Sequence, residues 1–307
     1  GFQAPYVPGY DTHGLPIESA VLKDKKVKRD EMTTAQFRTK CREYAESYIE
    51  KMTGQFQRLG VLGEWENPYI TLLPEFEAKQ IEVFGKMAEK GLIYKGMKPV
   101  YWCPFDQTAL AEAEIEYSDE TSPSIFVRFE MTSKPAGLEN FDGPVDFIIW
   151  TTTPWTIPSD QAVSLKPGAA YVAVEHEGRA EVMLEDLAPK CCEEFGWEYT
   201  PVMVDGKPYV VPAETFHHIH YKQPIFDGVE GVALLADYVG VDDGTGIVHN
   251  SPGHGVDDYF ACLKEGITDI CMPVDDDGKF YTGEEFGTGV NPKPTNQKRT
   301  EPTIKST

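Results

Sequence analysis

Apolar positions in this chain recur with two different periods. Between Thr33 and Gly60 the positions Phe37, Cys41, Tyr44, Tyr48, Met52, Phe56 and Leu59 share one stripe at helical spacing. Thr33 and Gln36 make a capping-box pattern at its start, and Gly60 supplies the stop. The stripe is expected to be core packing. A second helix is predicted from Pro74, with Phe76, Ile81, Phe84, Met87 and Ala88 on its apolar face and Gly91 at its end. From about Ser124 the pattern becomes one of short strands: Ser124–Met131, Val145–Thr151, Tyr171–Val174, Pro208–Val211 and Gly231–Leu235. Helices are expected around Leu184–Phe195 and Asp257–Glu265, and the regular short strands suggest a closed or sandwiched β domain.

Charge changes the picture mainly through its distribution. The net charge is −22, and residues 61–290 carry 41 acidic against only 14 basic side chains. An acidic middle argues against broad nucleic-acid binding, which needs Lys and Arg against phosphates, but leaves room for a small pocket that takes a nucleic-acid end. The basic run Lys23–Arg29 reads as a solvated face. Six scattered cysteines form no C-x-x-C pair, so free thiols in a reducing cytoplasm are expected rather than a disulfide frame. No apolar run approaches the roughly 18 residues of a membrane span, and no membrane partner is expected. The start at Gly1 leads us to expect a piece of a longer chain.

Three stretches carry candidate chemistry. Trp150-Thr151-Thr152-Thr153-Pro154-Trp155-Thr156-Ile157-Pro158 follows an apolar strand, and its prolines end regular pairing, so three hydroxyls stand where a strand opens into a loop. A Thr-rich edge strand is the plainer reading. Asp242–Tyr259 is rich in glycine, which permits close backbone approach to a ligand, and contains His249, His254, Asp257 and Asp258. His249 ends an apolar strand, as a pocket floor or as a satisfied core histidine. Asp257 and Asp258 can open the following helix as caps. Near the start, Tyr10-Asp11-Thr12-His13-Gly14 is turn-like, and Asp11 either meets a ligand or caps a turn. Cys103 lies in a knuckle-like turn where a zinc site would want a second thiolate in place of Asp106, and His217-His218-x-His220 reads as exposed polar surface. No metal site is expected. A tail at 289–307 is expected to be poorly structured.

Two of these motifs, in order and at a suitable distance, resemble a family. Gly14-Leu15-Pro16-Ile17-Glu18 with its preceding turn is similar to the stretch that follows the His-x-Gly-His signature of isoleucyl-tRNA synthetases, members of class I. Trp150–Pro158 and Gly244–Tyr259 resemble the two motifs of that family's editing pocket. The resemblance implies an α/β chain: a partial Rossmann-like catalytic domain at 1–116, a β-barrel-like editing domain with a few helices at 117–288, and the tail. Neither His-x-Gly-His nor Lys-Met-Ser-Lys-Ser occurs in the sequence, so the resemblance implies no cofactor for this piece, and ATP and Mg for the full-length parent.

The function so implied is an isoleucine-tRNA ligase whose editing site hydrolyses mischarged valyl-tRNA. The partners implied are the aminoacylated 3′ end of isoleucine tRNA, with valine and isoleucine as small molecules, and a monomer is the expectation for the parent. By resemblance Asp258 receives the α-amino group, His249 limits side-chain size, Thr152 and Thr153 act on ester or water, and Thr151, Trp155, Asp160 and Gly246 bind substrate, with Tyr10 and Asp11 in the catalytic part. Four residues depart from the family's usual ones: Tyr10 stands for Trp, Asp160 for Asn, and Asn250-Ser251 for Thr-Ala. Asp160 would then set a negative charge beside the site. The alternatives are a valyl or leucyl editing region, an inactive tRNA-binding remnant, and a zinc hydrolase built on His249, His254 and Asp258.

Overall fold

Thr33 caps a long helix where the box pattern placed it. Its side chain accepts from Gln36 N–H, and the Gln36 side chain accepts in return from Thr33 N–H. The computed structural model describes residue 2 and residues 4–24 and 26–281, with the backbone only at 30. The chain divides into two compact units, Gly1–Gly96 and Met97 onward. The expected tail at 289–307 lies outside the described residues.

In the first unit β1 (Gly9–Tyr10) leads into α1 (Leu15–Leu22) and α2 (Thr34–Arg58), and β2 (Tyr69–Ile70) is followed by α3 (Pro74–Glu89). β1 and β2 pair in parallel, Gly9 with Tyr69 and Tyr10 with Ile70, as a helical crossover requires. The helical stripe is only partly core. Phe37 and Ala45 are buried, whereas Tyr48, Phe56 and Leu59 are exposed. On α3 no residue is buried, and Ile81, Phe84 and Met87 are open. The period marked these faces as apolar correctly; among the described residues of this unit nothing covers them.

The second unit contains β3 (Tyr101–Cys103), β4 (Thr108–Leu110), β5 (Ile125–Glu130), β6 (Val145–Thr151), β7 (Ala162–Leu165), β8 (Ala170–His176), β9 (Arg179–Leu184) and α4 (Ala188–Phe195). After these come β10 (Met203–Val204), β11 (Lys207–Pro208), β12 (Val210–Pro212), β13 (His220–Lys222), β14 (Glu230–Leu235), β15 (Ile247–Asn250) and α5 (Val256–Lys264). Two sheets dominate, with strand orders β12-β8-β9-β6-β5 and β13-β14-β7-β15. A bridge between Met131 and Tyr221 links them. The fold is thus mixed α/β with several sheets. The β-barrel-like closure implied by the resemblance is not seen among the described residues: the strands form two separate main sheets, joined at the β5 and β13 edges only by that bridge. Strands β7 and β9 were not anticipated. Arg179–Leu184 pairs in parallel with β6 and antiparallel with β8 before the helix starts at Ala188, four residues later than expected.

The core between the sheets is aromatic. Tyr221 stacks on Phe129 at 5.1 Å, and Phe216 meets Phe147 and Tyr171 edge-on at 5.7 and 6.2 Å. Each such side chain, fully buried, contributes roughly 1.5–3 kcal/mol. Tyr221 lies directly across from Gly231, where an added Cβ would stand 2.2 Å from the ring. That glycine is what lets the ring lie flat over β14.

Charge also enters this core. On β6 Asp146 is fully buried and takes a bidentate pair from Arg179, with both contacts at 2.7 Å. Directly across on β9 lies Glu181, also fully buried, held by Arg128 Nε at 2.7 Å while its other oxygen has no partner. Burial first, and the Asp146 charge second, push the Glu181 carboxyl up to about 7. The fold therefore prefers this group protonated. Its contribution is complete below about pH 4.5 and is lost as pH rises to about 7. Glu181→Gln is expected to gain on the native chain by on the order of 1–3 kcal/mol between pH 5 and pH 8. Urea midpoints at the two pH values check this; a constant difference between the proteins would contradict it.

Candidate functional site

The threonine run does not continue as an edge strand. β6 ends at Thr151, whose Oγ1 accepts Thr153 N–H at 3.0 Å and so closes a tight turn. Pro154–Ser159 then forms a 3-10 helix, with one proline in its first turn and Pro158 inside it. Opposite, β15 runs antiparallel to β7 and carries His249 and Asn250 at its end. The Ser251–Gly255 turn follows, and α5 opens with Gly255 as its N-cap. These two segments enclose a cavity of about 330 Å³ lined by Thr151, Thr152, Thr153, His249, His254 and Asp258 among others. The lining contains one carboxylate and no Lys or Arg.

Asp258 does not cap its helix. N-cap Gly255 has no side-chain bond, and Asp258 Oδ2 accepts instead from Ser251 N–H at 2.9 Å. Its Oδ1 has only a long 3.5 Å contact with Tyr238 Oη, which leaves that oxygen for a ligand. Burial pushes the Asp258 carboxyl up, against the Ser251 hydrogen bond that holds it down. Tyr238 ties this corner to the sheet: its hydroxyl lies 2.9 Å from Asn250 Oδ1, and Asn250 Nδ2 donates to Ser164 Oγ at 2.6 Å. Thr152 is exposed and Thr153 half-buried, and their side-chain hydroxyls make no hydrogen bond among the described residues.

His249 is buried with both nitrogens turned to protein groups. Thr156 Oγ1 gives its one proton to the Thr153 carbonyl at 2.8 Å, so it accepts from His249 Nε2 at 3.0 Å, which places a proton on Nε2. Nδ1 faces Asp160 Oδ1 at 3.4 Å. One further proton must lie between them for the contact to attract, on either side. Asp160 is itself 4% exposed, and its other oxygen accepts from the Tyr221 hydroxyl. Burial raises the Asp160 carboxyl, opposed by His249 and then by Tyr221.

Several expected binding residues therefore have other places. Asp160 lies beneath His249, not beside the cavity, and its charge is not presented to a ligand. Gly246 packs against Leu184, where a Cβ would stand 2.4 Å from that side chain, and its φ of +72° favours glycine, so the backbone itself accounts for this residue. Trp155 is half exposed and reaches the cavity only through His254, which it meets edge-on at 4.9 Å. Burial pushes the His254 ring below the usual histidine range. Tyr10 and Asp11 belong to the first unit. Tyr10 is buried with its hydroxyl 2.6 Å from Thr53, and Asp11 is exposed and accepts His13 N–H at 3.4 Å in a turn. His249, His254 and Asp258 do not bring their ligand atoms together as a metal site would. Thr156, Tyr238 and Ser164 were missed. Thr156 stood inside the motif, but the contacts of the other two depend on strand register that no local pattern reveals.

The cavity geometry gives a definite expectation at Asp160. Asn in its place can accept from Tyr221 and donate to His249 Nδ1, whereas Ala leaves both without a partner. Asp160→Ala is expected to cost about 2–4 kcal/mol and Asp160→Asn less than about 1 kcal/mol in urea unfolding near pH 7. Equal losses would show that the buried contacts do not matter.

A family model for class I tRNA synthetases (I, L, M and V) matches residues 1–265. The chain belongs to that family. It is 49% identical to the isoleucine–tRNA ligase of Enterococcus faecalis over 280 residues, which is 91% of this chain and 29% of that protein. With the isoleucine–tRNA ligase of Bacillus licheniformis it shares 49% over 278 residues, again 91% and 29%. The chain thus spans about 29% of the length of these curated relatives. Among solved structures it is similar to GlLeuRS-CP1, with a TM-score of 0.38 and 16% identity over 48% of this chain and 66% of that one.

Proposed function

We propose that the second unit is the editing site of an isoleucine–tRNA ligase and hydrolyses the ester of valyl-tRNA. The observation that carries this is the Asp258 carboxylate, held by Ser251 N–H with its second oxygen open to a cavity whose lining has no Lys or Arg. An aminoacyl ester brings a cationic α-amino group, and a half-buried carboxylate meets it with a short charge-assisted hydrogen bond. The lining holds no Lys or Arg to pair with a phosphate charge, so the pocket suits the neutral end of the nucleic acid, its terminal ribose and base.

Valine and isoleucine differ by one methylene. In an apolar pocket that is worth about 10–200-fold, a range for which isoleucyl-tRNA synthetase is itself the standard example, so a second, size-excluding site is needed. In this reading the ring of His249 forms the limiting wall. Its Nε2 is bonded to Thr156 and its Nδ1 is buried facing Asp160, away from the cavity, which fits a positioning wall better than a general base. Thr152 and Thr153 offer unengaged hydroxyls to orient the ester carbonyl and the attacking water. Orientation of a water against an already activated ester supplies much of the rate, and no covalent intermediate is invoked.

By the same reading the longer protein attaches isoleucine to its tRNA in the cytoplasm, as a monomer. The first unit is then part of a Rossmann-like catalytic domain, with Tyr10 and Asp11 near the amino acid. ATP and Mg would be held by segments other than these 307 residues, which contain neither ATP signature.

Asp258→Ala is expected to lower the deacylation rate of valyl-tRNA by at least about 100-fold with an unchanged circular dichroism spectrum. Undiminished deacylation would remove Asp258 from the site. His249→Ala is expected to let isoleucyl-tRNA be deacylated. If the variant still spares that substrate, His249 is not the limiting wall.

A further inference from the structure

Away from the cavity, on the same unit, two adjacent histidines converge on one carboxylate. His217 and His218 lie in the turn before β13, and Glu265 caps the C-terminal end of α5. Nε2 of His218 lies 3.0 Å from Glu265 Oε2, and Nε2 of His217 lies 3.6 Å from the same oxygen. The three candidate ligand atoms all lie within 4.8 Å of one another, and among the described residues no other group of histidine, cysteine and carboxylate side chains does this.

We propose that His217, His218 and Glu265 form a zinc site that pins the β13 turn to the far end of α5. Two observations carry it. Zinc bonds to imidazole and carboxylate of about 2.0–2.1 Å put neighbouring ligands of a tetrahedron roughly 3.3 Å apart, and the two measured separations bracket that value. His217 Nε2 is covered yet has no hydrogen-bond partner, so an ion satisfies an atom that the protein alone leaves bare. The two rings lie 3.8 Å apart between centroids, side by side over the same carboxylate oxygen.

The backbone is built to hold this geometry. His218 has φ of +66°, a left-handed conformation that, among residues other than glycine, asparagine, aspartate and histidine adopt most readily. It is fixed there by His218 N–H on the Ala233 carbonyl at 2.8 Å and by Ile219 N–H on the Phe216 carbonyl at 2.9 Å. The position between the rings and Glu265 opens to solvent, since His218 is 61% exposed, which leaves a fourth ligand place for water. α5 carries Asp258 in its first turn and Glu265 just past its last, so the ion would brace the helix at the end remote from the cavity.

The test is titration of the 307-residue chain with zinc ion alone, followed by calorimetry and thermal unfolding. One equivalent is expected to bind and to raise Tm, and a chelator should reverse the rise. Both His218→Asn, which keeps a residue tolerant of the left-handed backbone, and Glu265→Gln are expected to weaken binding at least about tenfold while Tm without zinc stays the same. Cobalt in place of zinc reports the donors: the expected spectrum has no thiolate-to-metal charge-transfer band, which separates this site from the six free cysteines. No stoichiometric zinc binding, binding unchanged in both variants, or a thiolate band would each overturn the proposal. Valyl-tRNA deacylation plays no part in these readings, so the outcome stands apart from the editing assignment.

Discussion

A buried carboxylate with two neighbours holds the site together. Asp160 sits beneath the cavity, takes the Tyr221 hydroxyl on one oxygen and faces His249 Nδ1 with the other. An ionisable group in that position is costly unless its partners are in place. Tyr221 is fixed by stacking on Phe129 and by its seat over Gly231. His249 is fixed on its far side by Thr156. The aromatic core, the 3-10 turn and the end of β15 therefore have to assemble together. The cavity wall is an extension of the hydrophobic core rather than a surface loop laid on it.

Much of this was legible one stretch at a time. The Thr33–Gln36 box, the strand Val145–Thr151 and the two motif clusters all stand where local pattern placed them. What was not legible has a common physical cause. Asp160 follows the threonine run by a few residues and reads as part of the same wall. Its direction is decided by a 3-10 turn that rotates it under His249, and the sequence does not announce that turn. Tyr238 and Ser164 meet Asn250 only because β7 lies between β14 and β15 in one particular register. The α3 face was read correctly as apolar, but a period says nothing about what will cover it.

Electrostatics and shape divide the work at the cavity. The strongly acidic middle of the chain argues against wide phosphate contact, and the cavity lining follows suit with a single carboxylate and no cation. The lining offers hydroxyls, one carboxylate oxygen left open and, at the rim, the aromatic pair Trp155 with His254. On the editing reading proposed above, such a lining would discriminate by volume and by the sign of a single charge.

The two prolines of the 3-10 turn have a consequence for that lining. Pro154 and Pro158 restrict the backbone before folding as well as after it, so the turn has few conformations to give up. A wall that is already ordered takes little from the free energy of an arriving ligand. On the editing reading proposed above, it would also resist widening around a ligand one methylene too large. Rigidity, more than any added contact, would then make the cavity a gauge.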